Sequence, residues 1–599
     1  MSTPRQISKI LNLANLETNT ITASIDSDIV NQTVTLGVTL PIGTISVSSA
    51  DTLPLSNIQI GQQGFVTSTN RLYIYNGSGW YNIATINSTP YWVTEANASY
   101  TLNTDGTATV VEINAADSDG TTVSYTATGD SNFNAIATVV QDSDGRFVIR
   151  SIDSDGSVSK TSASGTLTFT ATDGVDQAST ASTFSITFGP DWSGSVTETR
   201  ITAIANLNSS DYFGRASGLS SDGKYLIVAA PGEDSASVGG SSGISSADSG
   251  MISIFNESGG TWSLQQRLKY SGSQDYGFGQ SASLNSDGTY AIIGANVNTD
   301  YAGTAHIYTR SGSTWTHQQQ ITGSDTANGD QFGAGFVSLN SDATYAVVAG
   351  KYHRTSGITN AGALYVFTRS GSTWTQQQKI TVSSPEFNHQ LGADGQMSSD
   401  GNYIIASGSG DSSYSGAAFV FNRSGSTWSQ QAKLVSTDLD ANDSFGNSAS
   451  INSDGTYAVV GCAGEDGGVG SPLAQAGAAY VFTRSGSTWT QQAKLVASDQ
   501  SASVYFGRAV KISNDGNFIF VSASRDAGSQ GAGYLFSRSG STWTQLKKLT
   551  PATRINQMYL GEYNNLGISN DGSIVSIGAH NETVNSESGA GAMYVFNPS

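Results

Sequence analysis

The nine residues "RSGSTWTQQ" occur at Arg369–Gln377 and again at Arg484–Gln492. Near copies begin at Arg310 ("RSGSTWTHQ"), Arg423 ("RSGSTWSQQ") and Arg538 ("RSGSTWTQL"). A chain that spells one peptide five times is built of repeats, and the repeat decides the fold. One full copy runs from Asp443 to Leu495, "DSFGNSASINSDGTYAVVGCAGEDGGVGSPLAQAGAAYVFTRSGSTWTQQAKL". It holds four strand-like runs. Strand a follows "FG", strand b is "TYAVVG", strand c is "GAAYVF" and strand d is "TWTQQAKL". The turns "NSDG" and "RSGST" carry Asn, Asp, Gly and Ser, which tolerate the positive φ of tight hairpins.

The repeated Trp stands at 262, 315, 374, 428, 489 and 543, with spacings from 53 (262 to 315) to 61 (428 to 489). A four-stranded antiparallel unit at this period is the signature of a β-propeller blade. "FG" starts lie at Phe213, Phe278, Phe332, Phe445 and Phe506, with degenerate versions at Leu391–Gly392 and near Leu566–Gly567, which makes seven. The last unit, "GAMYVFNPS", stops after strand c. The stretch "DWSGSVTETRITA" from Asp191 carries Trp192 and the strand-d pattern, so an early strand is expected to close a seven-bladed ring with three late ones. No blade buries both faces alone, so every blade needs the same hairpin and the same packing Trp.

Composition agrees. A chain of 599 residues exceeds one core, so several domains are expected. Only 12% of residues are charged and 68 are Gly, an all-β, turn-rich balance. The net charge of −20 excludes a basic nucleic-acid surface and fits a soluble surface or a partner that is basic or bridged by cations. Cys462 is the single cysteine, so no intrachain disulfide forms, and "AVVGCAG" reads as a buried thiol. The N-terminus lacks the apolar core of a signal peptide, and no run of about 18 apolar residues exists, so no membrane insertion is expected. Synthesis in a cytoplasm, with the Thr/Ser/Gly-rich composition of an exposed surface protein, is reconciled by a virion component released on lysis.

"DYFGRASGLSSDGKYLIVAAPGEDS" and "GAAYVFTRSGSTWTQQAKL" resemble FG-GAP repeats, the units of integrin-alpha-type propellers, over residues 191–599. The resemblance implies ligand binding or adhesion. Some family members bind calcium through "DxDxDG" loops, and none of the b–c loops here has that spacing.

The first 55 residues read as a β-rich anchoring segment that would dock the chain on other virion proteins, opened over residues 1–16 either by a short amphipathic helix or by a disordered tail. Residues 56–92 read as a small hairpin module. Its "TNRLYIYNGSGWYNIATINSTPYW" is similar to a module of tail-fibre-like proteins of marine, cyanobacterial phages, which implies a virion protein. Residues 93–190 read as a sandwich: "INAADSDGTTVSYTATGD" and "GTLTFTATDGVDQASTASTFSITF" alternate with period two. They resemble cadherin-like immunoglobulin-fold modules. The resemblance places Asp117, Asp119 and Asp173 where cadherins hold calcium, although one copy supplies only half of an interdomain site.

In a propeller the a–b and c–d turns share one face, and the b–c and d–a loops share the other. The turns are near-identical here, whereas the loops diverge, from "APGEDSASVGGSSGISSADSG" to "SGSGDSSYSG". Divergence within a duplicated chain marks the loop face for recognition. Its b–c loops carry Asp234, Asp300, Asp411, Asp466, Asp526 and Glu582, which read either as a ring for cations or a cationic ligand or as solvated loop acids of an acidic protein, while the third blade has Lys351, His353 and Arg354. Histidines 306, 317, 353, 389 and 580 make no metal-ligand spacing, and no nucleophile elbow or phosphate loop is present, so no catalytic residue is assigned and no enzyme is expected. The expectation is a structural and adhesive virion protein: a tail fibre, appendage or decoration, homo-oligomeric and trimeric, whose propeller meets a host cell-surface glycan or protein. The alternatives are a polysaccharide-degrading propeller enzyme, with convergent acids on the loop face, and a bacterial surface adhesin, which needs an export signal.

Overall fold

The computed structural model describes residues 45–47, 53–54, 56, 58–60, 62–66, 71–75, 77–85, 89–102, 108–117, 121–152, 163–186, 190–202, 208–233, 249–270, 276–297, 301–411, 415–440, 442–466, 473–563 and 565–598. The helix expected over residues 1–16 and most of the anchoring segment lie outside them. The chain divides into two compact units, Met1–Phe188 and Gly189–Ser599.

In the first unit, Ile45–Val47, Gln63–Val66, Arg71–Tyr75 and Trp80–Thr85 form a four-stranded sheet in that order. Its first pair is parallel, and its last two strands pair antiparallel, Tyr75 opposite Trp80. Trp80 Nε1 donates to the Pro54 carbonyl at 2.8 Å. Further along, two sheets share one apolar core. Ala137–Gln141, Phe147–Ser151 and Thr109–Val111 make a three-stranded sheet. Ser99–Thr101, Gln177–Ile186, Ala163–Thr172 and Ser124–Gly129 make a four-stranded one. Phe133, Phe147, Phe169 and Phe184 fill the space they share. The short helix Ser131–Ile136 starts where Asp130 accepts from the Phe133 N–H, which satisfies one of its orphan donors.

The described residues of the second unit hold seven four-stranded antiparallel sheets, the repeated element of a β-propeller. Six are made of consecutive strands. In the fifth, Phe445–Ile451, Tyr457–Cys462, Ala478–Ser485 and Thr488–Leu495 follow one another as strands a to d. Strand b and the first part of strand c are buried at nearly every position, because each face is covered by a neighbouring sheet, so their sequences are unbroken apolar runs. Cys462 lies there, wholly buried, and burial pushes its thiol well above the ordinary range. In the remaining sheet, Val196–Ile201 pairs antiparallel with Ala592–Pro598, Val196 opposite Pro598 and Ile201 opposite Met593, beside Val575–Ala579 and Leu566–Ile568.

The nine-residue peptide is a set of attachments between sheets. Arg484 Nε donates to the Gly455 carbonyl of its own a–b turn at 2.6 Å, and Nη1 donates to Gly486 at 2.8 Å. Its guanidinium lies 4.3 Å from the ring centre of Tyr403 in the preceding sheet. Arg310, Arg369, Arg423 and Arg538 repeat this on Tyr225, Tyr290, Tyr345 and Tyr457. In the second to sixth sheets the Trp indole donates back to a glutamine of the preceding strand d: Trp315 to Gln265 at 2.9 Å, Trp374 to Gln318 at 3.0 Å, Trp428 to Gln377 at 3.2 Å, Trp489 to Gln431 at 2.8 Å and Trp543 to Gln492 at 2.9 Å. Arg and Trp therefore reach backward, and "QQ" receives the next Trp. In the seventh sheet Trp192 replaces the Arg: its Nε1 donates to the Gly572 carbonyl at 3.0 Å, and it shares a buried cluster with Phe518, which replaces the Tyr.

The "FG" motif forms the second link. The glycine that opens strand c makes a parallel bridge to the Phe of the next sheet, as in Gly416 with Phe445, Gly477 with Phe506 and Gly591 with Phe213. Gly362 bridges Leu391, so the degenerate "LG" there is a true start. The seventh start is Leu560–Gly561 and not the expected Leu566–Gly567. Leu560 N–H donates to Gln530 O and Gly561 N–H to Gly578 O, as Phe213 donates to Ala590 and Gly214 to Ala229. The segment from Gly561 to Ile568 is two residues longer than its counterpart from Gly507 to Ile512, which hid the motif.

At the opposite face the a–b turns hold one another. Ser286 donates to Ser341, Ser341 to Ser399, Asp400 to Ser453, Ser453 to Asn514, Asp515 to Asn570 and Asn570 to Ser221, all through backbone N–H and C=O groups. The Ser221 and Ser286 hydroxyls meet at 3.3 Å. The first strands of six sheets line a polar cavity inside this circle of turns, with Ser283, Ser338, Gln396 and Lys511 among the lining side chains.

Candidate functional site

The loop face is assembled from the ends of strands b and the starts of strands c. The six acids expected there fall into three groups, of which exposed Asp466 alone makes one. Asp234 and Asp300 lie outside the described residues, as does Asp119 of the first unit. Asp411, Asp526 and Glu582 are buried, and each is held by a basic side chain of strand d or the loop after it.

The fifth sheet shows the pattern. The penultimate residue of strand d, Lys494, lies 2.6 Å from Glu465 in the b–c loop and 2.8 Å from Asp438, which precedes strand a. The Tyr480 hydroxyl donates to Asp438 at 3.1 Å. In the sixth sheet Lys548 lies 2.7 Å from Asp499 and 3.0 Å from Asp526, Arg554 lies 2.9 Å from Asp526, and Tyr534 donates to Asp499. In the fourth, Lys433 lies 2.7 Å and His389 3.0 Å from Asp411. In the seventh, Arg200 lies 2.6 Å from Glu582, which accepts from Tyr594 at 2.9 Å. In the third, His353 stands in the acid's place, 2.6 Å from Lys379 Nζ and 2.7 Å from Asp330.

These carboxylates are therefore internal counter-ions, one set in each of the third to seventh sheets, fixed between strand d and the b–c loop. Burial pushes Asp438 up, but hydrogen bonds from Lys494, Ser436 and Tyr480 outweigh it and hold the carboxyl below its ordinary range. Burial leads in raising Tyr480, Tyr534 and Tyr594 far above the ordinary phenol value, so each is a fixed hydroxyl donor.

In the fifth loop the buried acid is Glu465, 3% exposed. The expected Asp466 is exposed, and its carboxylate accepts from the Gln475 N–H at 2.9 Å. The first loop likewise buries Glu233 beside Asp234. Among the described residues no group of three or more His, Cys, Asp and Glu is placed to hold a metal ion. In the first unit Asp173 Oδ1 accepts from the Val175 and Asp176 N–H groups, both at 2.7 Å, as a turn-forming side chain, and Asp117 follows Asn114–Ala116.

The second sheet departs from the pattern in a way residue spacing concealed. His306 takes the place of the Tyr and Gln320 that of the Lys. His306 Nδ1 meets His317 Nε2 at 3.3 Å across the c–d ladder, and Tyr270 donates to Gln320 at 3.0 Å. Burial, then the His306 charge, lowers the His317 pKa. Laying the repeats over one another exposes this replacement, whereas a search for short motifs does not.

Among solved structures, the chain is similar to a periplasmic gluconolactonase of Pseudomonas aeruginosa at 14% identity and a TM-score of 0.40, over 65% of this chain and 93% of that one. A protein from Lactobacillus plantarum matches at 14% identity and 0.38, over 65% and 93%. An oligogalacturonate lyase in complex with manganese matches at 10% identity and 0.39, over 68% and 98%. No curated protein matches the sequence. Three segments, residues 315–367, 428–482 and 489–536, match the FG-GAP repeat family. Each runs from the Trp of one strand d to strand c of the next sheet, the same phase in which Val196–Ile201 joins Ala592–Pro598. The chain thus carries FG-GAP repeats, arranged as the four-stranded sheets of a β-propeller.

Proposed function

We propose that this protein is an attachment component of a phage virion, a tail fibre, appendage or surface decoration, and that it binds through the loop face of a seven-bladed propeller. The N-terminal segment holds other virion proteins, residues 93–190 serve as an immunoglobulin-like spacer, and the assembly is a homotrimer with no catalytic step of its own. The observation that carries this reading is the contrast between the two faces. The turn face is near-identical from sheet to sheet and bonded to itself, so its groups are used up in holding the ring. The loop face varies in length and composition over the same scaffold. Support for a closed ring of seven comes from the strand exchange of Val196–Ile201 and from the hydrogen bond that returns from Asn570 to Ser221.

The test is mass spectrometry of gradient-purified particles, with gold-labelled antibody against the propeller. Labelling at one defined tail or capsid position is the expected result. The protein on cells or in medium, and absent from particles, would replace the virion reading with the adhesin. Clearing of host polysaccharide by the purified full chain would replace attachment with catalysis.

A further inference from the structure

Most of the basic side chains that reach the loop face are tied to carboxylates of their own sheet. Arg215 is different. It follows Phe213–Gly214 into the first sheet, and its guanidinium makes no hydrogen bond or ion pair among the described residues. It lies instead against two tyrosines, 4.4 Å from the ring centre of Tyr563 and 5.9 Å from that of Tyr212. Tyr563 is brought there by the two-residue lengthening after Leu560–Gly561, and it is 38% exposed. His580, at the end of strand b in the seventh sheet, is 7% exposed, 4.8 Å from Tyr563 and 6.1 Å from Tyr212 between ring centres. Its Nδ1 is buried and has no hydrogen-bond partner. A buried polar nitrogen left so is expensive unless something else bonds it.

The surroundings point the same way. Burial, then the charge of Arg215, lowers the Lys351 pKa, so a second cation of the third sheet lies within the field of the first. Burial and Arg215 also hold His580 neutral, down to about 3. The acids nearest in sequence are engaged elsewhere: Asp211 accepts from the Asn208 N–H at 2.7 Å, Glu562 lies 3.3 Å from Arg508 and Glu582 lies 2.6 Å from Arg200. In a chain of net charge −20, a guanidinium that repels a second cation and faces an unbonded imidazole nitrogen would be relieved by a bound anion.

We propose that Arg215, Tyr212, Tyr563 and His580 form a binding site for an acidic sugar, with Arg215 and His580 taking its carboxylate or sulfate and Tyr563 stacking on its ring. The oxyanion site stands on the geometry alone, and the choice of a sugar rests on the attachment reading together with the exposed Tyr563 ring. A neutral imidazole can donate to an oxyanion, and a planar guanidinium matches a carboxylate or sulfate edge.

The experiment is calorimetric titration of the full chain at neutral pH and low salt with sodium glucuronate and sodium sulfate, with glucose as the uncharged control. Host-cell binding is measured in parallel. Glucuronate is expected to bind and glucose not. Arg215→Gln should weaken glucuronate roughly tenfold or more, the worth of one charge-assisted hydrogen bond. His580→Gln serves where Arg215→Gln does not fold. Tyr563→Ala should weaken glucuronate and leave sulfate unchanged. Absence of heat with both anions, or equal affinity in Arg215→Gln and His580→Gln, overturns the site. Equal effects of Tyr563→Ala on both anions overturn the sugar. Cell binding that persists in Arg215→Gln while glucuronate binding is lost retains the oxyanion site and overturns its part in attachment; a wild-type chain that takes up glucuronate but not cells retains the site and removes the attachment reading.

Discussion

The guanidinium of Arg484 stands 4.3 Å over the ring of Tyr403, one sheet back, while its Nε and Nη1 are held by the carbonyls of Gly455 and Gly486. One side chain thus closes its own hairpin and grips its neighbour. Lysine carries the charge but not the fork. Arg484→Lys is expected to cost about 1–2 kcal/mol, the sum of a lost hydrogen bond and a weakened cation–π contact. Urea unfolding of the full chain reads this, with Arg146→Lys in the first unit as the reference.

Two glycines separate crowding from backbone conformation. Gly416 and Gly425 both have positive φ, +86° and +61°. A Cβ on Gly425 meets nothing, whereas one on Gly416 would sit on the Phe445 carbonyl of the next sheet. Gly425→Ala should cost about 1 kcal/mol, the left-handed penalty alone. Gly416→Ala should cost several times more and lower the unfolding midpoint of the whole propeller.

Lys494→Met takes the ammonium away from buried Glu465 and from Asp438. Lys494→Met is expected to destabilise by about 3–5 kcal/mol, and the double variant Lys494→Met/Glu465→Gln to recover much of it. Denaturant unfolding of the two chains decides whether the set is an ion pair or merely packing.

Asp438 sits below the ordinary carboxylate range because the bonds from Lys494, Ser436 and Tyr480 outweigh burial. Its contribution is complete above the unfolded value near 4 and is lost as pH falls through the lower folded value. Asp438→Asn should therefore cost stability at neutral pH and flatten the acid limb, in acid titrations followed by circular dichroism.

His580 acts over a different window. Its pKa, lowered by burial and Arg215 to about 3, lies below the unfolded value, so the unfolded chain binds the proton first. Stability should fall as pH drops from about 6.5 toward 3, by up to about 1.4 kcal/mol per pH unit. His580→Gln should remove that slope. Thermal melts at stepped pH measure it.

Much of this architecture is legible in the residues, because propeller sheets repeat their punctuation. Trp374, Trp428 and Trp489 mark strand d, and "FG" marks strand a. The exchange of Val196–Ile201 follows from a missing fourth strand in "GAMYVFNPS". What stayed hidden depends on depth and on partners from other strands. Glu465 and Asp466 are adjacent letters, yet one is a buried counter-ion and the other is exposed, because the chain turns between them. The loop acids look like a ligand ring until strand d is laid beside them, where Lys433, Lys494, Lys548 and Arg200 occupy one position of the ladder. Leu560–Gly561 escaped because two extra residues moved the motif off its spacing. His306 and His317 are eleven apart and meet only because strands c and d pair.

The strand exchange also sets how the molecule bears load. Val196–Ile201 is the first strand of the second unit, and it lies antiparallel to Ala592–Pro598 with Val196 opposite Pro598. A pull on the chain ahead of Val196, directed along the strand, would load this pair lengthwise. Its six residue pairs are then strained together in shear, instead of peeling apart one by one. This pair is then the tension member of its sheet, and the force that shears it sets the load the sheet bears.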